Sequence, residues 1–199
     1  MMTFWDFCSP IYDFAQKRNV NYDEWNESIV KYIDTGSTVL ELAGGTGEIS
    51  VRVSLKAQKV LCTDLSAKML KVARTKARNI SNISFETADL YSLSYEDNSF
   101  DIVIASQVLH LLDNPKKAID EIKRVAKDKI ILPVCLLKDV KGVARLQIGL
   151  WKLLGFNPKY VFNKESYIDF VESYGLEVSD TIVIDGSMPI IVVVCKKQN

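Results

Sequence analysis

Between residues 37 and 137 the apolar positions switch repeatedly between two periods, and each switch predicts an element. The runs "STVLELA" (37–43), "KVLCTD" (59–64), "ISFETAD" (83–89), "FDIVIASQ" (100–107) and "KIILPVCLL" (129–137) are short and rich in apolar residues, as strands buried on both faces are. The stretches "GEISVRVSLKA" (47–57), "SAKMLKVARTKARN" (66–79) and "PKKAIDEIKRVAK" (115–127) space their apolar residues three and four apart, which predicts helices. Ser66 suits the N-cap of the second helix, and Pro115 the first turn of the third. Near-continuous strands alternating with helices predict a parallel sheet covered on both faces.

The end of the chain changes character. "KESYIDFVESYG" (164–175) predicts a helix closed by Gly175, and "LEVSDTIVID" and "MPIIVVVCKK" predict strands joined through Gly186 and Ser187. The fold class expected is therefore α/β: one Rossmann-like doubly wound sheet, mostly parallel, with an antiparallel C-terminal hairpin strand. A single domain over 1–199 is expected. Its parts are an N-terminal helical cap (1–33), a core (34–135), an insertion (136–163), and a last helix with the hairpin (164–199). In the insertion Leu146, Leu150, Leu153 and Leu154 fall at helical spacing beside Trp151. They predict either a helix packed on the core or a lid that forms an apolar pocket and touches a membrane surface transiently.

Candidate chemistry concentrates in "VLELAGGTGEIS" (39–50). Glu41 lies inside an apolar strand, where an unpaired carboxylate is expensive. Gly44, Gly45 and Gly47 follow at once, allowing positive φ and close approach of a ligand to the backbone. In an open α/β sheet such a turn, at the carboxyl end of the first strand and the N-terminus of a helix, is where ligands bind. A dinucleotide fingerprint fits incompletely, because Ser50 stands where the third glycine belongs.

Glu41-Leu42-Ala43-Gly44-Gly45-Thr46-Gly47 resembles motif I of the class I S-adenosylmethionine-dependent methyltransferases, with Ala43 in place of the first glycine. The resemblance continues through "VLCTDLSAKML" and "ETADLYSLSYEDNSFDIVIASQVLH" and covers about residues 36 to 132. It implies S-adenosylmethionine as cofactor. It implies that Asp64 accepts from both ribose hydroxyls, that Asp89 accepts from the adenine amino group, and that the Leu90 N–H meets a ring nitrogen. Leu65 and Met69 join that wall. The Ser106 carbonyl and Glu41 face the methionine amino group, with Ala43 and the glycines around it and Gln107 at the rim. The motif set is most similar to the ubiquinone/menaquinone-biosynthesis and phospholipid N-methyltransferase group. That likeness implies a small, apolar, aromatic or lipid-like acceptor. It also implies that Tyr12, in "SPIYDFAQKR", packs over the cofactor. A departure is "RVAKDKII", which lacks the Gly-Gly turn that often precedes the fifth strand.

His110 is the sole histidine and lies just after the fourth strand. It is a candidate base for a protonated acceptor, or a histidine packed behind the site, and Tyr12 and Gln107 are comparable polar candidates for the catalytic role at the rim. Other chemistries fit less well. Ser106-Gln107-Val108-Leu109 lacks the prolines of amino-directed nucleic-acid methyltransferases, and Cys135 in "PVC" reads as core. No cluster of His, Cys and carboxylates suggests a metal. A nicotinamide-dependent oxidoreductase and a non-catalytic S-adenosylmethionine-binding protein remain as alternatives.

Charge and composition narrow the partners. Lys plus Arg and Asp plus Glu number 25 each, which disfavours a polyanion such as nucleic acid as the main partner. The balance is local: residues 52–78 hold eight basic residues and one acid, and 86–121 hold eight acids and two lysines. These are either solvated faces or a dipolar surface that steers a charged partner. The four cysteines form no Cys-x-x-Cys pair and suit free thiols in a reducing compartment. The start lacks a signal-peptide pattern and no run of eighteen apolar residues exists, so a cytoplasmic protein is expected.

Overall fold

The computed structural model describes residues 4–10, 12–17 and 21–197. The N-terminal cap contains α1 (Phe4–Cys8), α2 (Tyr12–Lys17) and α3 (Tyr22–Val30). The core follows as β1 (Thr38–Leu42), α4 (Glu48–Val53), β2 (Lys59–Asp64), α5 (Ala67–Lys76), β3 (Ile83–Thr87), β4 (Phe100–Ala105), a 3₁₀ turn at Leu109–Leu111, α6 (Pro115–Val125) and β5 (Ala126–Cys135). Then come α7 (Val143–Leu153), α8 (Lys164–Ser173), β6 (Glu177–Ile184) and β7 (Ile190–Lys196). Parts of the expected 1–33 cap lie outside the described residues.

The strands form one sheet in the order β3-β2-β1-β4-β5-β7-β6. All pairs are parallel except β5–β7 and β6–β7, so β7 is the antiparallel strand the hairpin pattern predicts. Because side chains alternate across a strand, β7 feeds two cores. Ile190, Val192 and Val194 join α3, α4 and α7 on one face, and Ile191, Val193 and Cys195 join α6 and α8 on the other. On β1, Leu40 and Leu42 enter the second core while Val39 enters the first. Glu41 shares the Val39 face, so its carboxylate is directed under α4.

Local signals explain most boundaries. The Ser66 side chain accepts from the Met69 N–H at 3.2 Å and starts α5, and Pro115 begins α6 behind an Asn114 cap. A capping box of Asn163 and Ser166 starts α8, and Gly175, at φ +74°, lets the chain leave it. Two boundaries differ from the periodicity. The first core helix ends at Val53, because a turn carries Leu55 into solvent and returns the chain toward β2. β5 starts at Ala126, directly after α6, because Ala126 is already extended; the missing Gly-Gly turn leaves no loop there.

The basic segment is partly neutralised by the cap. Arg52 pairs with Asp23, Glu27 and Glu48, and Lys76 with Asp13 and Glu48. All four cysteines are free thiols; Cys62, Cys135 and Cys195 are buried in strands. Among the described residues no helix is long and apolar enough to cross a membrane.

Candidate active site

The sheet order reverses direction between β1 and β4, and the loops leaving these strands part there to open a crevice. The loop after β1 turns sharply. Ala43, Gly45 and Gly47 have φ of 53°, 57° and 72°, and Gly47 caps α4. Ala43 thus sits in a conformation that costs a non-glycine residue about 1–2 kcal/mol. The Gly44 N–H donates to the Thr63 carbonyl at 2.8 Å, and a Cβ on Gly44 would lie 2.6 Å from Cys62 Sγ. The loop is pressed against β2 at Gly44 and open at Gly45, where an added Cβ meets nothing within 4 Å.

Asp64, at the end of β2, ties two loops together. One carboxylate oxygen accepts from the Gly45 N–H at 2.9 Å and the other from the Ser66 N–H at 2.7 Å. Burial raises its pKa despite these donors. Asp89 ends the loop after β3 and accepts from the Tyr91 N–H at 2.9 Å.

These groups surround a cleft of about 290 Å³. Ala43, Gly45, Asp64, Leu65, Met69, Asp89, Leu90, Ser106, Gln107 and Tyr12 all line it, so the structure brings together most of the residues the sequence singled out. Trp5, Tyr91, Val108, Leu111 and Leu112 also line it and were not singled out as site residues from the sequence. Trp5 and Tyr12 meet edge-on, 6.2 Å between ring centroids, and form a roof.

A second, smaller cavity of about 60 Å³ lies behind the glycine loop, lined by Glu41, Gly44, Ser106, Tyr22, Trp25 and Asn26 among others. Glu41 is 1% exposed and accepts from the Ser50 hydroxyl. Burial pushes its pKa up to about 7. The Ser106 hydroxyl and the Asn26 amide oxygen are buried beside it, without a hydrogen-bond partner among the described residues. Asn26 belongs to the cap, and no sequence signal marked it.

The cap is fastened to the loops around the cleft through two carboxylates. The Thr46 hydroxyl donates to Asp13 at 2.5 Å, and Lys76 pairs with Asp13 at 2.8 Å. The Ser66 hydroxyl donates to Asp6 at 2.6 Å.

Residues 40–132 match the family described as a methyltransferase domain. Over that segment the chain is similar to a methyltransferase domain. A ubiquinone/menaquinone biosynthesis C-methyltransferase from Hydrogenovibrio crunogenus is 36% identical over 101 residues, which are 48% of this chain and 40% of that one. The match thus spans less than half the length of the curated relative. Among solved structures, an S-adenosylmethionine-dependent methyltransferase from Aquifex aeolicus superposes with TM-score 0.70 at 21% identity, covering 87% of this chain and 89% of that one. The magnesium protoporphyrin IX methyltransferase of Synechocystis, solved with S-adenosylhomocysteine, superposes with TM-score 0.69 at 19% identity, covering 90% and 84%.

S-adenosylmethionine is the cofactor named for the Aquifex aeolicus structure, and the residues present here suit it. Asp64 keeps lone pairs on both oxygens for a vicinal diol. The carboxylate of Glu41 and the orphaned oxygens of Ser106 and Asn26 offer acceptors where an ammonium group would need them. Among the described residues no group of three or more metal-ligating side chains occurs.

The geometry bears on three of the expectations. His110 does not line the cleft. It is 3% exposed, its Nδ1 is buried without a partner among the described residues, and its ring packs edge-on against Phe156. Burial lowers its pKa to about 4, so it is neutral at pH 7. Gln107 lines the cleft, but its side-chain oxygen accepts from the Cys135 N–H at 2.9 Å and braces β4 against β5. The leucines of α7 do not form a pocket. Ala144, Ile148 and Trp151 take the inward face, and Leu146, Leu150, Leu153 and Leu154 are exposed.

Glu41 and His110 give the fold two opposite pH dependences. Glu41 is raised in the fold, so its contribution is present below its ordinary pKa and is lost as pH rises through 7. His110 is lowered, so its contribution is present above its ordinary pKa and is lost as pH falls through 4. Each amounts to roughly 3 kcal/mol at full extent. In denaturant titrations from pH 4 to 8, E41Q is expected to gain stability relative to the wild type as pH rises. H110Q is expected to gain relative stability as pH falls. Parallel curves for either variant would remove that residue from the titrating pair.

Proposed function

We propose that this chain transfers a methyl group from S-adenosylmethionine to a small apolar acceptor of aromatic or lipid-like character. The observation that carries this reading is the cleft itself. Asp64 and Asp89 occupy its polar end, and Trp5, Tyr12, Val108, Leu111 and Leu112 supply aromatic and aliphatic walls. The relative named for ubiquinone/menaquinone biosynthesis supports an acceptor of quinone-like chemistry.

In this reading Asp64 takes the ribose hydroxyls, Asp89 the adenine amino group and the Leu90 N–H a ring nitrogen. Leu65 and Met69 pack against the adenosine. Glu41, Ser106 and Asn26 hold the ammonium end behind Ala43, Gly44, Gly45 and Gly47. The bound cofactor supplies a methyl group already activated on a sulfonium. The chain's remaining tasks are to orient the acceptor and to keep water out. Tyr12 lines both cavities, which supports it in this reading as the side chain that touches the acceptor. His110 acts from behind, as a positioning residue through Phe156.

The test is a melting comparison with S-adenosylhomocysteine, NAD and NADP, followed by methyl-label transfer to a panel of hydroquinones, phenols and polar amines. Ligand at about 100 times its dissociation constant adds roughly 2.7 kcal/mol, a rise of several degrees for a domain of this size. The rise is expected with S-adenosylhomocysteine alone, and label is expected in the organic phase with the aromatic acceptors. Stabilisation by a nicotinamide cofactor instead would overturn the reading. Stabilisation without transfer to any acceptor would favour a binding protein.

A further inference from the structure

Nine large apolar side chains are exposed among the described residues, and five of them lie on or just after α7. Those five are Val143, Leu146, Leu150, Leu153 and Leu154. At about 100° per residue they occupy an arc of roughly 100°. Ala144, Ile148 and Trp151 occupy the arc that packs on the core. Arg145 and Lys152 fall between the two arcs. The helix therefore has two apolar faces, and only one is covered.

Charge identifies what covers the other. From Lys138 to Lys164 the chain has six basic residues and one acid, Asp139. Among the described residues Lys138, Lys141, Arg145 and Lys152 form no ion pair with a carboxylate. An apolar stripe edged with unpaired cations matches a lipid surface carrying anionic headgroups, with the leucines among the acyl chains and the cations at the phosphates. A second copy of this chain would set those cations against themselves. The stripe is also joined to the site. Trp151 on α7 meets Phe156 at 6.1 Å, Phe156 meets Trp5 at 6.4 Å, and Trp5 lines the cleft.

We propose that α7 lies in the surface of an anionic membrane and turns the mouth of the cleft toward the bilayer. As a route for a lipid-like acceptor this rests on the function proposed above; as a contact with lipid it does not.

The experiment is co-sedimentation of the full chain with phosphatidylcholine vesicles, with and without phosphatidylglycerol, alongside gel filtration. The chain is expected to sediment with the anionic vesicles and to be released by salt. L146E/L153E, both positions exposed, is expected to keep its melting temperature and its stabilisation by S-adenosylhomocysteine. Its partition into vesicles should fall about tenfold or more. No sedimentation of the wild type, or equal sedimentation of the variant, would overturn the proposal. So would a wild-type dimer that the variant dissolves, since the face would then be covered by a second copy. Loss of the S-adenosylhomocysteine response with vesicle binding retained would count against the proposed function alone.

Discussion

Replacing Asp64 by alanine is expected to reduce affinity for S-adenosylhomocysteine by about 100-fold, roughly 2–4 kcal/mol, in calorimetric titration. The side chain has two tasks. In the proposed role it offers a charged acceptor to the ribose. In the structure it already accepts from the N–H groups of Gly45 and Ser66, and so fixes the glycine loop relative to the start of α5. Alanine removes the ribose acceptor and the staple together, and water replaces only part of either. D64N separates them: its one carbonyl oxygen keeps one loop bond and its charge is gone. It is expected to fall between wild type and D64A in affinity, with a smaller loss of melting temperature. Unchanged affinity in D64A would take the residue out of the site.

The second large effect is expected at Gly47. Alanine there must adopt φ +72°, and its Cβ would lie 2.9 Å from the Cβ of Ala73, closer than such atoms pack. Ala73 is fully buried on α5, so relief requires the helix to move off the sheet. The backbone contributes about 1–2 kcal/mol and the overpacking another 1–3. For a chain of this size that lowers the melting temperature by roughly 5–15 °C. Gly45 is the control. Its φ is also positive, but an added Cβ meets nothing within 4 Å. G45A is expected to melt within a few degrees of the wild type while losing cofactor affinity. If G47A and G45A melt together, the contact with Ala73 does not decide the loop's packing.

Much of the site was legible because its signals are local. Glu41, the glycines, Asp64 and Asp89 each sit at the end of a strand that the apolar period marks, and strand ends in a parallel sheet converge on one edge. What was not legible is what the cap contributes. Asp13 reaches Thr46 across 33 positions, Asp6 reaches Ser66 across 60, and Asn26 comes from a helix that precedes the sheet. No spacing rule joins such residues. The choice between the two readings of His110 was undecided for the same reason, since Phe156, forty-six positions on, is what packs against it. On α7 the period correctly predicts a helix, but two apolar stripes run along it. Only the packing into the core that α7 shares with α3, α4 and the sheet decides that Ala144, Ile148 and Trp151 face inward.

The position of β7 has a consequence for synthesis. β6 is made before β7, yet its sheet partner is β7 alone, and β7 fills the gap between β6 and β5. A nascent chain emerging from the ribosome can pair β1 to β5 as they appear, while α8 and β6 wait for the strand that follows them. Until it arrives, the buried edge of β5 stands open along Lys129 to Cys135, a row of unpaired amides beside apolar side chains. The interval between translating β5 and translating β7 is when this chain is most exposed to aggregation, and a chaperone that shields strand edges would act then.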